Sequence, residues 1–286
     1  MQKARIDGTD IAYEEAGSGE TVVLVHAGCA DRRMWQEQFA ALSERYRVIR
    51  YDWRGRGASG DAVGSFAHHR DLLALMDRLQ VRRAAVVGAS DGGRIALDAL
   101  LTAPHRFRAL GLIAAGLSGH QWPASLVDRA RRQVHSLVPS ERLRHYQQGA
   151  AERIEPGDLD AVAEAEAELL VAGPDRTRAV LPPRVWELAV AMDRLTRERM
   201  WGGPRFTEQQ LCPPAKERLA EVAVPTLVVA GLADAPEILA ASALLAEGIP
   251  GARRLDLPDT GHLPPVERPQ LVTTALTDFL ATTMPW

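Results

Sequence analysis

The segment VVGASDGGRIAL, Val86 to Leu97, places two possible nucleophiles side by side. Gly88, Ser90 and Gly92 form a small-x-nucleophile-x-small turn around Ser90, and one residue further on Ala89, Asp91 and Gly93 form the same turn around Asp91. A serine at the centre means acyl transfer, whereas an aspartate means an alkyl-enzyme ester, as in haloalkane or epoxide opening. The flanking pattern selects the frame. A strand that runs straight into a helix forces the turn residue into a strained conformation above the sheet, and small neighbours are needed for the turn to close. Gly88 directly follows the strand end Val86-Val87 and falls two residues before Ser90, so Ser90 is read as the nucleophile. A serine that only caps the next helix would need no glycine on either side.

A serine hydroxyl attacks only when a base takes its proton and a third group orients that base. His262, in LDLPDTGHLPPVERP, lies in a Gly-flanked loop between the last strand pattern and the last helix. Alone among the eight histidines it has that placement. His68, His69, His105, His120, His135 and His145 read as solvated surface residues, and His26 belongs to the loop after the first long apolar run. Asp234, in the turn after PTLVVAG, is the expected acid, with Asp256 and Asp259 as alternatives on the histidine's own strand and loop. The order Ser90, Asp234, His262 suits a strand-turn-helix nucleophile. The oxyanion needs two backbone donors. The Asp91 amide is one, and Gly28 in LVHAGCADRRMW is the better second candidate, ahead of Ala27.

The elements that must carry these residues alternate. KARIDG and DIAYEEAG read as a hairpin, and TVVLVHAG, YRVIRYD, AAVVGAS, RALGLIAAG, PTLVVAG and ARRLDLP as further strands, most separated by helical patterns. Strands with no polar alternation are buried on both faces, which predicts an α/β fold with a mostly parallel sheet flanked by helices. Between residues 118 and 222 strand runs disappear. Val185, Leu188, Ala189, Met192 and Leu195 fall at helical spacing, and Asp158 offers an N-cap for DLDAVAEAEAELL. This interval is expected to be a helical cap inserted into a core made of residues 1–117 and 223–286, with a separate helical domain as the alternative.

The balance of 34 Lys and Arg against 37 Asp and Glu leaves a net charge of -3, with no bulk attraction for nucleic acid or an anionic membrane. The N-terminus lacks a leader-like apolar stretch and no window reaches membrane-span length, so a cytoplasmic chain is expected. Cys29 and Cys212 stand far apart with no metal-ligand spacing, although Cys29 is close enough to the proposed site to line it.

Five segments in order, LVHAGCADRRMW, YDWRGRGAS, GASDGG, GLAD and DTGHLPPVERP, make the chain resemble the α/β-hydrolase superfamily over essentially its full length. The resemblance implies an eight-stranded, mostly parallel sheet with a helical cap after strand six and no cofactor. Ala27 departs from the His-Gly pair of many relatives. Asp91 stands where many carry Met, Trp or Leu, and its SDGG context is similar to that of biphenyl-hydrolase-like valacyclovir hydrolases, which implies a carboxylate able to bind a substrate ammonium. Next to a developing oxyanion such a charge needs a cation, either Arg94 one turn on or the substrate.

The expected activity is hydrolysis of a carboxylic ester, lactone or aminoacyl ester of a small molecule by a monomer or homodimer. C–C bond hydrolysis, thioester hydrolysis and a non-catalytic receptor on the same fold are the alternatives. Asp91, Ala27, Trp53, Trp122 and Trp186 are expected substrate contacts, with Trp201 as another possible wall, and Arg54 is expected to brace loops.

Overall fold

The unbroken apolar runs fold as strands with both faces covered. In a computed structural model describing residues 1–284, the strands are β1 (Gln2–Ile6), β2 (Thr9–Ala16), β3 (Thr21–Val25), β4 (Arg47–Tyr51), β5 (Ala84–Ala89), β6 (Phe107–Ile113), β7 (Thr226–Gly231) and β8 (Arg253–Leu257). They form one sheet in the order β1-β2-β4-β3-β5-β6-β7-β8. β2 runs antiparallel to β1 and β4, and the other pairings are parallel. Every residue of β3, β5 and β7 is buried.

Helices cover both faces. On one side α2 (His68–Arg78), α3 (Asp91–Thr102) and α8 (Pro236–Gly248) contribute Leu72, Leu75, Ile95, Leu100 and Leu245 to the core. On the other, α1 (Gln36–Leu42) and α10 (Pro269–Thr283) contribute Leu42, Val272, Leu276 and Phe279. No helix among the described residues is long and apolar enough to cross a membrane.

Between β6 and β7 the chain forms α4 (Ala124–Gln133), α5 (Ser140–Gln148), α6 (Pro156–Ala167) and α7 (Pro183–Gly202). These helices have a small core of their own, in which Trp201 stacks on Tyr146 with ring centroids 4.9 Å apart. Two details differ from the sequence expectations. Pro156 starts α6 after Glu155, and Asp158 is not its N-cap; it lies in the first turn, where it accepts hydrogen bonds from Arg142 and from Tyr146 Oη. The returning chain also contains a short strand, Phe206–Glu208, paired in parallel with Gly64–Phe66. Three residues on each side are too few for a period-2 pattern to stand out.

The loop after β4 is held by ion pairs. Asp52 accepts from the Arg32 and Ala58 amides and from the Arg32 side chain. Arg54, only 3 % exposed, donates through Nε and Nη2 to both carboxylate oxygens of Asp71 at 2.8 Å, the brace expected of it. Such a bidentate pair is strongly destabilised when one partner is removed, because the other charge stays buried alone. Asp71→Ala is therefore expected to lower the unfolding free energy by about 3–5 kcal/mol, checked by urea denaturation of the two proteins.

Candidate active site

At the C-terminal end of β5 the backbone turns at Ser90 with φ 53° and ψ -123°, a left-handed conformation unusual for a residue with a side chain. Close packing holds it there. A Cβ on Gly88 would overlap the Gly92 carbonyl oxygen, and one on Gly92 would overlap the carbonyl oxygens of Val25 and His26. The Ser90 amide donates to Ile113 O, and its carbonyl accepts from the amides of Gly93, Arg94 and Gly116. The frame centred on Ser90, with Gly88 and Gly92 as its small positions, thus describes the observed turn.

The hydroxyl so raised meets His262. Ser90 Oγ lies 2.9 Å from His262 Nε2, and His262 Nδ1 lies 2.6 Å from Asp234 Oδ2. The second Asp234 oxygen accepts the Ala235 amide at 2.7 Å. Asp234 and His262 are almost fully buried. Burial alone would lower the imidazole pKa, but the Asp234 charge and hydrogen bond outweigh it and hold His262 above its ordinary value. Asp256 instead pairs with Arg254 at the exposed end of the sheet, and Asp259 contributes its carbonyl to Arg176 and Arg268.

Two residues that sequence reasoning missed support the histidine loop. Glu267, in the short helix α9 (Pro264–Glu267), accepts the Gly261 amide at 2.7 Å and pairs with Arg176 from the cap at 2.8 Å. Arg176 also donates to the carbonyls of Val171, Ala172 and Asp259, and the His262 amide donates to Leu170 O at 3.0 Å. A carboxylate five residues past the histidine was a legible sign of a loop brace. Arg176 carried no signal, because its partners come from three separate segments.

The oxyanion side is equally close. The Ala27 amide is taken by Met34 Sδ at 3.2 Å, which leaves Gly28 as the next donor of that loop. Asp91 N–H is the first amide of α3 and has no intrahelical carbonyl to bind. The two residues face each other: a Cβ on Gly28 would stand 2.7 Å from Asp91 Oδ2. Asp91 Oδ1 accepts from Arg94 Nε at 3.2 Å, so the protein itself supplies a cation for this carboxylate. Arg94 is shared, reaching Glu208 at 3.0 Å and Asp98 at 3.7 Å.

Of the expected aromatic walls only Trp53 lies here. Its indole N–H donates to His26 Nδ1 at 2.7 Å, and Arg56 stacks over its ring at 4.9 Å. Trp122 is 38 % exposed, with His120 against its ring edge-on. Trp186 packs against the sheet-side core under Arg178, and Trp201 is inside the cap. Of these three, Trp201 serves cap packing, Trp186 the sheet-side core, and Trp122 stays at the surface. His68 and His69 are likewise buried, not solvated; burial pulls His68 well below its ordinary value, and Trp53 meets it edge-on. Cys29 lines a narrow cavity with Glu166, Asp193 and Leu263, and in that cavity burial and the Glu166 charge push Asp193 well above the usual carboxylate range.

Comparison with known proteins agrees with this fold. Residues 20–269 match the family described as the alpha/beta hydrolase fold. BpoC of Mycobacterium tuberculosis, named for a non-heme bromoperoxidase activity, is 30% identical, the match covering 95% of this chain and 98% of that one. A thermophilic esterase from Thermogutta terrifontis, solved with malate bound, superposes with a TM-score of 0.74 at 26% identity, covering 99% of both chains. The enol-lactonase from Burkholderia xenovorans superposes with a TM-score of 0.74 at 25% identity, covering 98% of this chain and 100% of that one. With its fold, its elbow and these matches in agreement, the chain belongs to the α/β-hydrolase family and is a hydrolase of that family.

Proposed function

We propose that this hydrolase cleaves an ester-like bond of a small molecule, a carboxylic ester or lactone, through an acyl-enzyme on Ser90. The observation that carries the reading is the continuous path from Ser90 Oγ to His262 Nε2 at 2.9 Å and from His262 Nδ1 to Asp234 Oδ2 at 2.6 Å, with Ser90 held above the sheet. His262 takes the hydroxyl proton as Oγ attacks the carbonyl carbon, and Asp234 stabilises the imidazolium. The Gly28 and Asp91 amides take the oxyanion, aided by the positive end of the α3 dipole. The proton passes to the leaving oxygen, and water then attacks the acyl-enzyme with His262 again as base. The named esterase and enol-lactonase that superpose end to end support this substrate range. An aminoacyl ester is less favoured, because Asp91 already faces the Arg94 guanidinium.

A fluorophosphonate probe is expected to modify Ser90 in the folded protein, read by peptide mass spectrometry, and Ser90→Ala is expected to lower kcat by about 10⁴-fold or more. An intact Ser90 peptide after exposure to the probe would sink the acyl-enzyme reading.

The raised pKa of His262 sets the pH dependence. Only neutral imidazole can accept the Ser90 proton, so kcat/KM should fall as the pH drops through a value above that of ordinary histidine. Asp234→Asn removes the charge responsible: the acid limb should move to lower pH and kcat should drop by about 10³- to 10⁴-fold. An acid limb at the same pH in both proteins would separate it from His262.

Glu267→Gln keeps the shape but weakens the tie to Arg176 and the Gly261 amide. Slight misplacement of the histidine loop is expected to lower kcat by about 10- to 100-fold with little change in KM. Steady-state kinetics that show a KM effect alone would count against a positioning role.

A further inference from the structure

The buried and half-buried arginines around the site follow a rule with one exception. Arg54 pairs with Asp71, Arg94 with Asp91 and Glu208, Arg176 with Glu267, and Arg197 with Glu166. Arg56 is only 9 % exposed, yet no carboxylate among the described residues lies within ion-pair distance of it. Its Nη1 reaches only the Gly55 carbonyl, at 3.2 Å, and its Nε is buried with no hydrogen-bond partner.

The place of Arg56 makes this exception informative. Its guanidinium lies over Trp53, whose indole is anchored to His26 beside the Ala27-Gly28 segment. The largest attraction it feels comes from Asp91, the residue after Ser90, and the largest repulsion from Arg197 on α7 of the cap. It therefore lies against Trp53 on the oxyanion side, within electrostatic reach of Asp91 in the elbow and of Arg197 in the cap.

Neighbouring acids do not neutralise Arg56 by contact. Asp91 and Glu208 are bound to Arg94, and Asp193 has Arg197 at 3.5 Å. Stacking on Trp53 offsets part of the lost hydration but gives the in-plane donors no partner: Nη1 reaches only the Gly55 carbonyl and Nε is unpaired. Burial pulls Arg56 down to about 10, the Asp91 charge opposing it, so the group still carries its charge at neutral pH. A purely structural residue at this position would be better served by an uncharged side chain of similar size. A planar, charged donor fork kept without a carboxylate partner, over Trp53 and within electrostatic reach of the residue after Ser90, is suited to a carboxylate that arrives with the substrate.

We propose that Arg56 is an anion subsite that binds a carboxylate carried by the ester or lactone, so that the enzyme prefers substrates with a second, free acid group. This rests on the Ser90 acyl-enzyme reading and adds the class of substrate.

The test compares p-nitrophenyl pentanoate with two charged partners: mono-p-nitrophenyl glutarate, with the carboxylate on the acyl side, and p-carboxyphenyl pentanoate, with it on the leaving group. The wild type is expected to turn over at least one anionic ester with kcat/KM about 10- to 100-fold above that of a neutral analogue with the same leaving-group reactivity. Arg56→Met should lower that ratio by a similar factor, and Arg56→Lys should keep part of it. Independently of any variant's folding, free glutarate should inhibit wild-type turnover of the neutral ester competitively, and the uncharged diamide should not. No preference for either anionic ester, equal losses on charged and neutral esters in Arg56→Met, or equal inhibition by glutarate and its diamide would overturn the proposal. Labelling Ser90 in the same preparations with an uncharged fluorophosphonate separates the two readings. A labelled Ser90 without anion preference rejects only the subsite, and an unlabelled Ser90 rejects the acyl-enzyme itself.

Discussion

The left-handed turn at Ser90 is the constraint on which the site depends. A non-glycine residue at φ 53° is strained, and it persists only if the surroundings permit no alternative. Here β5 is a central strand with β3 and β6 on either side, and α3 starts directly at the turn. Gly92 touches the carbonyls of Val25 and His26 at the end of β3, so the nucleophile turn and the oxyanion-side loop are pressed against each other by the same close contact. On the proposed mechanism, nucleophile presentation and oxyanion binding are thus one structural feature.

The cap does more than cover this feature. Arg176 and Leu170 belong to the cap, yet they bond to Glu267, to the Asp259 carbonyl and to the backbone of His262 itself. Glu208, from the returning chain, meets Arg94 one turn beyond the nucleophile, and the Phe206–Glu208 strand adds to the core segment Gly64–Phe66. Both the histidine loop and the nucleophile helix are therefore tied to the inserted helices. Because charge-assisted bonds buried between two bodies strengthen as water is excluded, any displacement of the cap weakens the contacts that place the base.

The legible part of the fold was the part dictated by periodicity and steric need. Buried parallel strands read as unbroken apolar runs, and a Gly-x-Ser-x-Gly turn between strand and helix is rarely needed except to raise a nucleophile. The triad geometry could be anticipated because loops at the C-terminal ends of β5, β7 and β8 must converge on one edge of the sheet. What escaped was decided by tertiary neighbours. His68 sits in a polar helical pattern that suggests solvation, but Phe66 and Trp53 enclose it. The tryptophans suggest pocket walls, but Trp201 packs on Tyr146 and Trp186 on the sheet-side core. Asp158 has the residue type of a cap, but Pro156 has already begun the helix, which frees the carboxylate for Arg142.

Charge is the feature that composition concealed most completely. A chain near neutrality overall gathers Asp91, Arg94, Asp98, Glu208, Arg56, Asp193, Arg197 and Glu166 into one charged network between α3 and the cap. A carboxylate at the residue proposed to donate to the oxyanion would oppose catalysis if left alone, since its field would act on the charge that develops there. Arg94 answers this from within α3, but it is divided among three carboxylates, and Asp98 is itself pushed up to about 6 by burial. The Arg56 charge, close to Asp91 without contacting it, makes up part of what Arg94 cannot supply.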